Sequence, residues 1–230
     1  MGFQAHSLAV NAHGKAGTLS AMRAAQARVP LSKQIFDKVF AAAALLFFAP
    51  FILIVAAAIL ITDGRPVFFA HRRVGLHGRS FPCLKFRTMA RDADARLQKI
   101  LQEDPAARAE WEATRKLTRD PRIHCHGAFL RKTSLDELPQ FWNVLRGEMS
   151  VVGPRPVVAE EAAFYKGHFA DYTSVQPGIT GAWQVSGRSN TTYDERVQMD
   201  VDYIRNRSFW GDVRIVLRTV RAILLRDGAV

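Results

Sequence analysis

From Val39 to Ile61 the chain reads VFAAAALLFFAPFILIVAAAILI, with no polar side chain. At about 1.5 Å per residue, a helix of this length reaches roughly 35 Å and is long enough to cross a bilayer. Pro50 stands at the midpoint, where it removes a backbone donor and bends the helix. Each half then covers roughly 16 Å, about half of a ~30 Å hydrocarbon core. The segment can therefore cross, dip to mid-depth and return, or form the buried helix of a soluble protein. Lys33 and Lys38 precede the run, and Arg65, Arg72 and Arg73 follow it. Basic flanks prefer the cytoplasmic side. With both flanks basic, the pattern favours a re-entrant helix over a straight span.

Residues 1–30, which come before any acidic side chain, read as a flexible basic tail. A transit peptide fits that composition, whereas an ordinary signal peptide does not, because the apolar run starts too late. After Asp63-Gly64, two extended stretches, Pro66 to Arg73 and Ser80 to Thr88, flank the turn Gly75-Leu76-His77-Gly78 and predict a hairpin. Alternation puts Phe81, Cys83, Lys85 and Arg87 on one face of the second strand. Asp92 to Leu117 predicts a polar, solvated helical insertion interrupted near Pro105. Residues 127–156 predict a helix-forming stretch ended by a rigid loop, and Gln176 to Ser189 is glycine-rich and turn-like. Val213, Val216, Leu217, Val220, Ile223 and Leu224 recur at helical spacing, with Arg214, Arg218 and Arg221 on another side. That helix suits a membrane surface or a core equally well.

Composition narrows the function. The 230 residues are 48% hydrophobic and 23% charged, enough for a real core and unlike a disordered chain. Thirty-two basic residues against 21 acidic give +11, which points to a polyanionic partner: nucleic acid, phosphates or anionic lipid. Two cysteines exclude a disulfide-stapled module, and no Cys/His spacing matches a zinc site.

The chemistry centres on Asp136-Glu137. Paired carboxylates can serve as nucleophile, general base or oxygen ligand for a hard cation. Ser134-Leu135-Asp136-Glu137 also fits a capping box, although Pro139 disturbs that register. Either way the pair falls at a helix N-terminus, and spacing alone leaves capping and catalysis open. Arg131 and Lys132 precede it by one turn. Gly153-Pro154-Arg155-Pro156 confines the backbone around Arg155 and suits bidentate phosphate recognition. Lys85 with Arg87, and Arg188 after the glycine-rich loop, complete the basic set. Gly178, Gly181 and Gly187 allow close approach of backbone to a nucleotide, or simply turn the chain. Trp183 reads as core, His124 and His126 as structural residues on a strand face, and Asp200 with Tyr203 as a polar helix face.

Three blocks, LKFRTM (84–89), LRKTSLDELPQFWNVLRGEMSVVGPRP (130–156) and QPGITGAWQVSGR (176–188), carry a family resemblance. From about Lys33 to Arg226 the chain resembles the bacterial sugar transferases, the monotopic polyprenyl-phosphate hexose-1-phosphate transferases. The resemblance is greatest to short enzymes that initiate exopolysaccharide units with galactose-1-phosphate or glucose-1-phosphate. It implies an α+β, mostly helical fold: a tail (1–30), a proline-broken re-entrant helix (31–63) and a cytoplasmic catalytic domain (64–230) at the bacterial inner membrane. It implies Asp136 as nucleophile toward a UDP-hexose, a covalent phosphosugar-aspartate, release of UMP, and transfer to undecaprenyl phosphate. Glu137 matches the carboxylate expected to hold Mg²⁺. Arg131, Arg155 and Arg188 match phosphate- or nucleotide-binding positions, and Lys85 and Arg87 fall in a matching basic motif. Other polysaccharide-biosynthesis proteins and a homo-oligomer are further possible partners; nucleic acid is not. Ala49-Pro50 stands where many relatives have Ser-Pro, and the 92–117 insertion is longer than in the smallest relatives. The rival expectations are a membrane-tethered nucleic-acid-binding module and a non-catalytic scaffold.

Overall fold

An apolar run without polar side chains has to satisfy its backbone internally. It does so as a single helix, α1 (Leu31–Asp63), in the computed structural model of the chain. That structure describes residues 29–114, 117–118, 120–186 and 191–225, so most of the basic tail and Arg188 with its neighbours lie outside the described residues. The helix stays one element across Pro50 instead of dividing there.

Burial along α1 is uneven. Asp37, Ala41 and Ile59 are buried near its two ends, while Leu46, Phe47, Leu53 and Ile54 around Pro50 are among its most exposed side chains. At the N-terminal end Lys33 Nζ lies 3.1 Å from Asp37 Oδ1 and 2.9 Å from Asp212 Oδ2, and donates to the carbonyl of Val152. Asp37 also accepts from the Ser150 hydroxyl and the Val151 amide. At the other end, Asp63 is ion-paired to Arg87 at 2.6 Å. Both ends are thus fastened to the same body of the protein.

The hairpin follows as β1 (Phe68–Val74) and β2 (Ser80–Phe86), antiparallel, with Phe69 opposite Lys85 and His71 opposite Cys83. Its strands end within two residues of the expected limits. The insertion forms α2 (Ala93–Glu103) and α3 (Pro105–Thr114), broken where Asp104 accepts from the amides of Ala106 and Ala107. Leu97 is the buried residue of α2, in keeping with a solvated hairpin. Next come α4 (Cys125–Thr133), α5 (Gln140–Leu145) and β3 (Ser150–Val152), then α6 (Phe169–Thr173) and β4 (Gly178–Thr180). The chain closes with α7 (Tyr193–Asn206) and α8 (Phe209–Leu225). Strands β3 and β4 pair in parallel, Ser150 with Gly178 and Val152 with Thr180.

Three buried clusters hold these elements. One joins Ala41 of α1 to Phe81, Cys83, Val144, Met149, Val151 and Val152. A second unites Val157, Tyr165, Tyr172, Val197 and Val201. The third packs Ile59, and with it Val55 and Phe51, against Phe86, Leu130 and Leu138.

Several expectations change. His126 lies in α4 with His124 just before it, not on a strand face, and their rings stack at 5.1 Å. In α8 the apolar positions divide between two sides. Ile215 and Val216 turn to the first cluster, whereas Trp210, Leu217 and Val220 are exposed beside Arg214, Arg218 and Arg221. Asp200 is buried and accepts a 2.8 Å hydrogen bond from Tyr165, and Tyr203 donates to Val152 O and Asp212; neither belongs to a solvated face.

Candidate active site

Ser134 sets the position of the acidic pair. It adopts φ 56°, ψ 16°, the left-handed region that ends a helix, and closes α4 rather than capping the next one. Asp136 and Glu137 follow in a single 3₁₀ turn, Leu135–Glu137, before Pro139 leads into α5. The expected capping box does not form. Glu137 reaches across to β2 instead, where Lys85 Nζ lies 2.6 Å from its Oε1 and 3.8 Å from Asp136 Oδ2.

Asp136 is 8% exposed. Burial pushes its carboxyl up from the ordinary range; Lys85 and Arg131 pull it back, and the neighbouring Glu137 charge raises it. Desolvation of this kind removes the water that would otherwise shield the carboxylate form, which leaves its oxygen basic and nucleophilic. Leu135 and Leu138, on either side, pack into the cluster that holds Ile59 of α1, so the pair sits where the apolar helix meets the body of the protein.

The basic residues fall into two groups. Arg131 is exposed on the last turn of α4, its Nε hydrogen-bonded to Thr88 Oγ1 at 2.8 Å. Arg155 is exposed and makes no hydrogen bond among the described residues; its guanidinium lies 5.8 Å from the Trp183 ring centroid. Its charge and those of Lys85 and Glu137 all reach Cys83. Arg87 goes elsewhere. It follows the end of β2, and its Nη2 donates to the carbonyls of Asp63 and Gly64, so it terminates α1 and does not join Lys85. Arg188 lies outside the described residues.

The loop that presents Arg155 is fixed by backbone crowding. A Cβ on Gly178 would lie 2.1 Å from Gly153 N, and one on Gly153 would lie 2.5 Å from Gln176 O. The glycines at 178 and 181 therefore bring two chain segments together. Trp183 is buried as core, with Arg196 on its ring at 4.7 Å as well as Arg155. The motifs single out neither Arg196 nor Arg73, which pairs with Glu161 at 3.4 Å. Alternation from Lys85 through the hairpin register would have pointed to Arg73, since it shares that strand face.

Among the described residues no three His, Cys, Asp or Glu side chains come close enough to hold a metal ion by themselves. A hard cation that binds through one or two carboxylates plus substrate phosphates needs less, and Asp136 with Glu137 supplies that much.

A family model described as bacterial sugar transferase matches residues 28–226. The exopolysaccharide production protein ExoY of Rhizobium meliloti is 48% identical over 199 residues, covering 86% of this chain and 88% of that protein. The undecaprenyl-phosphate galactose phosphotransferase of Salmonella typhimurium is 49% identical over 185 residues, 77% of this chain but 39% of its own length. The UDP-glucose:undecaprenyl-phosphate glucose-1-phosphate transferase of Xanthomonas campestris is 40% identical over 202 residues, again 39% of its length. The chain belongs to the bacterial sugar transferase family.

Proposed function

From that membership and the acidic pair beside α1, we propose that the protein transfers hexose-1-phosphate from a UDP-hexose, galactose or glucose, to undecaprenyl phosphate. This is a membrane step of exopolysaccharide synthesis. The observation that carries the reading is the buried Asp136, paired with Lys85 and Glu137 where the lipid-like helix joins the body of the protein. In the first step an Asp136 oxygen attacks the phosphorus that bears the hexose. The bond from that phosphorus to the bridging oxygen breaks, and UMP leaves with the electron pair. In the second step an oxygen of the polyprenyl phosphate attacks the same phosphorus and the aspartyl oxygen leaves, which restores the carboxylate. Lys85 lies against both carboxylates and offers charge to the transferring phosphoryl oxygens. Arg131 and Arg155, the latter without a hydrogen bond among the described residues, suit the flanking phosphates. Mg²⁺, held by Glu137 together with substrate oxygens, would supply charge neutralisation on the diphosphate.

The arrangement of α1 supports membrane embedding from one side. A straight helix of its 33 residues would reach about 50 Å, well beyond a ~30 Å hydrocarbon core. Yet Lys33 and Asp63, near its two ends, hold the same domain, and the most apolar exposed surface lies around Pro50. A helix that enters and returns satisfies both facts, with the basic body of a chain of net charge +11 facing the anionic cytoplasmic leaflet.

The test is UMP release from UDP-hexoses by the detergent-solubilised chain with Mg²⁺ and undecaprenyl phosphate. Asp136→Asn abolishes release, and wild-type protein given donor alone gains one hexose phosphate in intact mass. Full turnover by Asp136→Asn would refute the covalent step.

A further inference from the structure

The row of side chains that continues the face of Lys85 has no role in the steps above. Phe69 stands directly opposite Lys85 in the hairpin, and His71 stands opposite Cys83, one diagonal step from Lys85. Directly opposed Cβ atoms lie about 5 Å apart and diagonal neighbours about 7–8 Å apart. Both side chains are exposed, Phe69 to 52%, and their rings are 6.0 Å apart. His71 makes no hydrogen bond or ion pair among the described residues, although Arg73, Lys85, Glu160 and Glu161 all lie within electrostatic reach of it. An apolar ring and an unpartnered imidazole are thus held on a strand beside the lysine that binds both carboxylates.

We infer that Phe69 and His71 form the hexose subsite of the donor, with the imidazole hydrogen-bonding a sugar hydroxyl and the phenyl ring covering the pyranose face. The inference rests on the transfer reaction proposed above. In that reaction the reacting phosphorus must lie against Asp136, within reach of Lys85, and the hexose is one oxygen away from that phosphorus. The groups next along the strand face are then the ones the sugar meets. Their chemistry fits a sugar better than a phosphate. Partial burial and the Arg73 and Lys85 charges lower the His71 pKa, which favours the neutral ring that can both donate and accept, as a hydroxyl requires. An exposed phenyl offers apolar contact to the ring C–H groups without competing for hydroxyls. The cationic side chains around the pair remain for the diphosphate.

The experiment measures steady-state UMP release by wild type, His71→Ala, His71→Gln and Phe69→Ala with UDP-galactose and UDP-glucose, together with the inhibition constant of UMP, which carries no hexose. His71→Ala lowers kcat/KM for the preferred hexose by about tenfold or more and compresses the galactose-to-glucose ratio toward one, the scale of a lost hydrogen bond. His71→Gln, which keeps a donor and an acceptor, recovers part of the ratio. Phe69→Ala raises KM for both donors. UMP inhibition stays unchanged in all three variants, which a merely structural role would not predict. Equal losses for both hexoses in His71→Ala, or UMP binding weakened in parallel, would overturn the assignment. Absence of turnover by wild type with any UDP-hexose would overturn the parent reaction instead. Thermal unfolding of the variants in detergent separates either result from misfolding, because both positions are exposed.

Discussion

Replacing Asp200 by asparagine removes a titration that the fold holds far from its ordinary range. Asp200 is 1% exposed, accepts from the Tyr165 hydroxyl at one oxygen, and has no hydrogen-bond partner at the other among the described residues. Burial pushes its carboxyl from 3.8 up to about 7, with Tyr165 and Arg155 pulling the other way. The folded protein therefore binds this proton more tightly than the unfolded chain does. The stabilisation from that proton is complete below pH 3.8 and is lost as pH rises to about 7. A shift of this size is worth about 4 kcal/mol, of which about 2–3 kcal/mol falls between pH 5 and pH 8. For a protein of this length that difference is roughly 5–10 °C in Tm. The assay is thermal unfolding in detergent at pH 5, 6, 7 and 8 for wild type and Asp200→Asn. Asparagine still accepts from Tyr165 but cannot ionise, so its Tm falls less across the series than that of wild type. The difference between the two slopes isolates Asp200 from every other ionisable group, since those are common to both proteins. Identical slopes would refute the reasoning, whatever the absolute Tm of the variant.

Three further outcomes follow from other contacts. Lys85→Gln removes the cation that pulls the Asp136 carboxyl down, so the acid limb of the pH–rate profile moves to higher pH and kcat falls by about 10²-fold or more; an unmoved acid limb would show that Lys85 does not set the charge state of the pair. Lys33→Met leaves Asp37 and Asp212 buried without their shared cation and costs about 3–5 kcal/mol, read as a drop in Tm. Arg87→Lys loosens the end of α1 and lowers Tm while the KM for UDP-hexose stays unchanged; a raised KM with normal stability would return Arg87 to the substrate site.

The legible parts of the chain were those written in local pattern. An uninterrupted apolar run gave α1, two extended stretches about a glycine-bearing turn gave the hairpin, and Pro105 gave the break between α2 and α3. The acidic pair was legible as a site but not as a conformation. Ser134 looks like an N-cap by spacing, and only the left-handed turn that closes α4 shows it to be a helix end. Asp200 and Tyr203 read as a polar face because their partners, Tyr165 and Asp212, are distant in sequence or belong to another helix. Strands β3 and β4 have three residues each, too few for alternation to register. Arg87 follows Lys85 by two residues and was assigned with it by alternation. The strand stops at Phe86, and beyond that point the face rule no longer applies.

The ion pair between Lys33 and Asp212 joins the first turn of α1 to the first turn of α8. During synthesis the apolar helix leaves the ribosome long before its partner carboxylate exists. With α1 embedded as proposed, the bilayer receives the helix first, and the clamp on its leading end closes only once α8 has been made. The C-terminal helix thus acts as a latch on a step that has already happened. A chain halted before residue 212 would leave a membrane-bound stub whose Lys33 still waits for half of its counter-charge.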